Sequence, residues 1–297
     1  MTPPRVPLNN TQPQSASDVA FGFVQSLAAE LSIGRVDLPS FPEVAVRVRR
    51  VLSDPNSSVE TVTRVVGSEP ALAARLMRIA NSASLNSTGK PIKDLRTAIN
   101  RMGYNMVRSA SMSFAMAQIR NNAKLGNVKH YLDDLWERST LVAAFAFVLA
   151  RSCTKINPDE AMLTGMMHGL GQLYVLTRAS EHPELFNSSG TLSQIINEWH
   201  AQIGKAILEN WEFSEAMAQA VADQQDLSRD DVEDADLSDV IAISILMSSF
   251  VTDVPALQAA MQGVSAVKRL GLDAHKTESV MKDFAAEVGA LRSALGS

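Results

Sequence analysis

The chain has one cysteine, Cys153, in 297 residues. That count excludes an intramolecular disulfide and a thiolate-rich zinc site. Aromatic residues are only 5% of the total, which argues against an extended base-stacking surface for single-stranded nucleic acid. Long apolar runs are also missing. The longest is "LVAAFAFVLA", residues 141–150, and a membrane span needs about 20 such residues. Strand-length alternation of Val, Ile and Thr is scarce. The opening "MTPPRVPLNNTQPQSAS" has no apolar core, so residues 1–17 read as a disordered lead-in, not a signal peptide. These absences point to a soluble cytoplasmic protein with no membrane partner.

Apolar residues make up 46% of the chain, a globular composition. The net charge of -5 is unevenly spread. Residues 1–120 hold 14 Lys/Arg and 8 Asp/Glu, and the remainder holds 13 and 24. Such asymmetry marks either different partners for the two halves or solvated surfaces of differing sign.

Helical spacing of apolar residues runs almost throughout, so the expected fold class is all-α. "FVQSLAAELSIG" predicts a first helix ending near Gly34, within a leading segment 18–37. In "LPSFPEVAVRVRRVLSD", Pro39 and Pro42 sit at a helix start. Val44, Val48, Val51 and Leu52 form its stripe. Ser57 and Glu60 have capping-box spacing for "VETVTRVVG". Ser68 stands as N-cap before Pro70 and a Leu72/Leu76/Ile79 stripe. A short helix over Asp94–Gly103 and a longer one from Asn105 follow, and "LGN" at 125–127 marks a boundary between halves. The second half has a helix apolar all round at 141–150, a helix through "DEAMLTGMMHGLGQLYVLTRA", an acidic loop at 228–239 and a buried helix in "VIAISILMSSFVTD", residues 240–253. Two tail helices, near 255–270 and 276–295, close the chain.

The order of segments in the second half resembles the HD superfamily of metal-dependent phosphohydrolases. That resemblance implies a His on one helix, a His-Asp pair on the next and a late Asp, converging on one or two divalent ions. Such ions lower the pKa of bound water for attack on a phosphoester. In this chain the corresponding positions read Arg138, His168-Gly169 and, within one residue, Ile245. Gln224-Gln225 stands where HD-GYP phosphodiesterases have a His pair. One imidazole makes no metal site, and an Arg at a ligand position repels a cation. His168 is therefore expected to be a buried helix residue bonded to a backbone carbonyl or water, with no metal and no cofactor. Gly169 costs roughly 1 kcal/mol in a helix and answers to close packing.

"LPSFPEVAVRVRRVLSDPNSS", "SEPALAARLMRIANSAS", "IKDLRTAINRMGYNMVRS", "GMMHGLGQL", "HAQIGKAILENWEF" and "VKRLGLDAH" resemble, in order, the landmarks of the HDOD domain, from residue 38 to about 275. Ser68-Glu69-Pro70 replaces a more usual Asp-Pro. The resemblance implies an all-helical bacterial signalling domain over 38–250, with an N-terminal helical half (38–124) and a degenerate HD-like half (125–250). Residues 251–297 are expected to pack on it as C-terminal helices. No receiver, GGDEF or EAL pattern is visible, so the chain reads as a stand-alone HDOD protein.

Three functions compete. The first is a non-catalytic regulatory adaptor that binds signalling proteins, in cyclic-di-GMP or two-component pathways. The second is a residual HD-type phosphohydrolase or nucleotide-binding module. The third is nucleic-acid binding through Arg47, Arg49, Arg50, Arg64, Arg75, Arg78, Arg101 and Arg108. Against the third, Arg75 and Arg78 flank an apolar stripe and can simply snorkel at its border. Asn81 reads as a C-terminal cap, and Met112 and Met116 in "MSFAMA" as core filler. Any of Arg75, Arg78, Asn81, Met112 and Met116 that is exposed is a candidate partner contact.

Overall fold

The computed structural model describes residues 16–34, 36, 42–82, 90–187, 190–230 and 233–295. The lead-in over 1–17 falls almost wholly outside them, as does Pro39. Among the described residues every regular element is helical. α1 (Ala16–Ile33), α2 (Glu43–Ser53), α3 (Val59–Gly67), α4 (Pro70–Ala80) and α5 (Leu95–Arg120) lead to a 3-10 turn, Ala123–Val128. α6 (Lys129–Cys153), α7 (Pro158–Met167), α8 (Leu170–Ala179), α9 (Glu184–Asn187), α10 (Thr191–Asn210), α11 (Glu215–Ala222) and α12 (Leu237–Ser249) follow. α13 (Val254–Ala260), α14 (Ser265–Arg269) and α15 (Ala274–Leu295) finish the chain.

Local chemistry sets most boundaries. Asp94 caps α5 by accepting from Thr97 N at 2.8 Å. Two predicted caps shift. The cap of α3 is Ser58, not Ser57, because Ser58 has the extended backbone that lets its Oγ accept from Thr61 N. Ser68 closes α3 and does not open α4. Pro70, lacking an N–H, takes the first position of α4, which leaves Glu69 as the cap residue. At Gly103 a φ of 72° breaks α5 into the two predicted segments. The tail segment near 255–270 also divides, into α13 and α14.

The segment predicted as one helix through His168 is two. The His168 ring nitrogen Nδ1 donates to Gly165 O at 2.6 Å. That carbonyl is the one a continuing helix would offer to the Gly169 N–H. The ring caps α7 on its own carbonyl, and Gly169 becomes the first residue before α8.

Two apolar cores result. The smaller gathers Val44, Val48, Leu52, Leu72, Leu76 and Ile99 from α2 to α5. The larger runs from Phe23 and Leu27 of α1 through α6–α12 to Phe284 of α15. α5 faces both: Val107 and Phe114 enter the smaller core, and Met112, Met116 and Ile119 the larger. The stretch 142–146 of α6 is fully buried, and Phe145 stacks on Phe284 with ring centroids 3.6 Å apart. α1 is fastened to α8 through Glu30, which accepts from Arg178 Nη2 at 2.7 Å and from the Tyr174 hydroxyl.

Candidate functional site

The positions matched to HD ligands lie on or beside α6, α7, α8, α11 and α12. His168 is buried with its Nδ1 committed to Gly165 O, so the neutral ring carries its proton there and Nε2 is left as acceptor. Gln224 is buried, and its Nε2 donates to Val221 O at 2.7 Å and His168 O at 3.3 Å. Its amide therefore ties the end of α11 to the α7–α8 junction. Gln225 is exposed and Ile245 is a half-buried member of the larger core. Arg138 keeps contact with solvent, yet partial desolvation lowers its pKa.

Gly169 is a packing position. A Cβ there would stand 2.6 Å from Leu135 Cδ1 and 3.2 Å from Ser139 Oγ, both on α6. Space that an aspartate would need is filled by Leu135. Gly171, one step further, brings α8 against α10: its Cβ would lie 1.8 Å from His200 O and 2.8 Å from Gly204 N.

His200 is a member of the site that sequence reasoning missed. It is buried on α10 and its Nδ1 bonds Ile196 O at 2.7 Å. The available signal was the His200/Gly204 spacing, which puts both residues on one face of α10. Burial first, opposed by the bond to Gly165 and reinforced by Arg138 and His200, brings the His168 pKa down to about 4. Burial and Arg138 lower that of His200 too. The site is thus two neutral imidazoles beside a guanidinium.

The divalent metal implied by the HD resemblance does not fit this donor set. A guanidinium, a glycine, a backbone-committed amide and an isoleucine stand at the ligand positions, and His168 retains one free nitrogen. Among the described residues no three His, Cys, Asp or Glu side chains gather as a ligand group.

The five candidate partner contacts fare unequally. Arg75, Met112 and Met116 are buried, so they offer no surface. The methionines fill the larger core, as unbranched thioethers do. Asn81 is a clip: its amide donates to Met77 O and Ile92 O and its Oδ1 accepts from Ile92 N. Arg78 alone of the five is exposed. Of the other arginines of the first half, Arg49 lies over the Trp211 ring and Arg108 Nη2 donates to Leu52 O, whereas Arg47, Arg50, Arg64 and Arg101 are exposed. The acidic loop is engaged as well. Arg229 holds Asp236, and Arg269 grips both oxygens of Asp239 at 2.8 Å.

The all-helical bundle defines the class. The chain belongs to the HDOD family: the HDOD domain model matches residues 38–227. A crystal structure named "Putative metal-dependent phosphohydrolase", from Shewanella amazonensis SB2B, is 26% identical with a TM-score of 0.73, covering 93% of this chain and 99% of its own. A "Putative signal transduction protein" from Marinobacter aquaeolei VT8 has the same fold at 19% identity and a TM-score of 0.57, covering 95% of this chain and 65% of its own. A curated relative, an "Uncharacterized protein" of Treponema pallidum (strain Nichols), is 23% identical over 212 residues. The match covers 66% of this chain but only 39% of that relative's length. No described helix is long and apolar enough to cross a membrane.

Proposed function

We propose that this protein is a non-catalytic regulatory adaptor of bacterial signal transduction, acting in the cytoplasm by binding other signalling proteins. Leu135 occupying the space beside Gly169 carries this reading. The Leu135 side-chain tip lies where the Cβ of an aspartate would go at the position that the HD resemblance assigns to a metal ligand. The family and the signal-transduction relative support a regulatory role. The HDOD unit would span 38–250, with the tail helices as its buttress and cyclic-di-GMP or two-component proteins as the partner class.

A second reading, phosphoester hydrolysis, is favoured by the name of the Shewanella protein, at 26% identity. The donor set opposes it. Nucleic-acid binding is disfavoured by the internal use of Arg49, Arg75 and Arg108. The test is affinity capture from a bacterial lysate at low and high salt, with proteins and nucleic acids both analysed. The adaptor reading expects protein partners, whereas nucleic acid lost at high salt would overturn it.

A further inference from the structure

Buried polar atoms are almost always hydrogen-bonded, so exceptions point to something absent from the fold. Three exceptions lie on the successive helices α4, α5 and α6: Arg75 Nε, Arg120 Nε and Trp136 Nε1 are buried and make no hydrogen bond among the described residues. The Arg120 guanidinium lies 5.1 Å from the centre of the Trp136 ring. Arg75 and Arg120 feel each other's charge. All three unmet atoms are donors.

The charge is unbalanced as well. Arg75 is 5% exposed, and among the described residues its Nη2 donates to Ser113 Oγ at 2.9 Å. Burial, then the positive charges of Arg78 and Arg120, lower its pKa to about 10. No described carboxylate opposes them at Arg75. Asp133 sits 3.5 Å from Arg120 Nε at the rim, where it also pairs with Lys129. An unpaired buried cation is among the costlier features a fold can carry. Buried water would satisfy the N–H groups but not the charge. An anion would do both, through charge-assisted bonds from guanidinium groups suited to oxyanion geometry. Arg78 is exposed and the Arg120 side chain is 26% exposed, so the cluster reaches solvent on one side.

We propose that Arg75, Arg120 and Trp136, with the exposed Arg78 one turn beyond Arg75 on α4, bind an oxyanion, the phosphoryl or carboxylate group of a small ligand. Neither His168 nor Gly169 is one of its residues, and it stands independently of the adaptor reading.

Thermal unfolding of the full chain in sodium phosphate and in sodium acetate, each against sodium chloride at equal ionic strength, tests it. At about ten times its Kd, a bound anion should raise the Tm by about 2–4 °C over chloride. A larger rise with phosphate assigns a phosphoryl ligand, and a larger rise with acetate a carboxylate. Arg75→Met and Arg120→Gln should each remove at least half of the increment. Trp136→Phe keeps the ring and every charge, and should still diminish it by removing one donor. If Arg75→Met does not fold, Arg120→Gln and Trp136→Phe decide. The proposal is overturned if neither anion exceeds chloride, or if the increment survives undiminished in the variants that fold.

Discussion

Leu135 Cδ1 lies 2.6 Å from where a Cβ on Gly169 would be. The relationship reverses the usual reading of a lost ligand. A side chain at this position would require the tip of Leu135 on α6 to move aside. Gly169→Asp should therefore overpack the junction of α6 and α8 and destabilise by about 1–3 kcal/mol. Urea unfolding measures this. An unchanged midpoint would mean that the space is open.

Stability should fall in acid because of His168. In the unfolded chain this ring takes up a proton near its ordinary 6.5, whereas in the native protein it does so only near 4. The unfolded state thus binds more protons between those values. The stability is present in full above about pH 6.5, declines as pH drops, and is lost once pH passes about 4. The difference amounts to on the order of 3 kcal/mol. Unfolding curves across this window should be steeper in pH for the wild type than for His168→Gln. Parallel profiles would contradict the assignment.

Phe145→Ala should cost about 3–5 kcal/mol through the cavity left in α6. Because Phe145 stacks on Phe284, a double-mutant cycle with Phe284→Ala should give a coupling of about 0.5–1.5 kcal/mol. A coupling of zero would make α15 a passive cover.

Asp239 and Arg269 form a buried bidentate pair, with side chains 2% and 7% exposed. Asp239→Ala leaves a buried guanidinium without its main partner and should cost about 3–5 kcal/mol. Replacing both, as Asp239→Leu with Arg269→Met, should cost less than the single change. Thermal unfolding of the three proteins separates these outcomes.

Much of the fold was legible in the sequence because helical periodicity and capping chemistry act locally. α6 is buried where its apolar run predicts, and the break at Gly103 follows from one residue. Errors arose where tertiary contacts decided. Arg75 reads as a border residue by spacing, but the packing of α4 on α5 encloses it beside Ser113. His168 divides a helix through a bond to its own turn that no periodicity encodes. Residues remote in sequence were invisible for the same reason. Leu135 with Gly169, His200 with Gly171, and Arg269 with Asp239 are separated by about 30 residues in each case.

If packing has replaced catalysis in the HD-like half, as proposed, no added metal should support phosphoester hydrolysis. Hydrolysis of bis-p-nitrophenyl phosphate, measured with manganese, iron or magnesium added in turn, tests it most directly when wild type and His168→Ala are run side by side. Both proteins should stay at the rate of metal alone. A metal-dependent rate in the wild type that disappears in His168→Ala would contradict it.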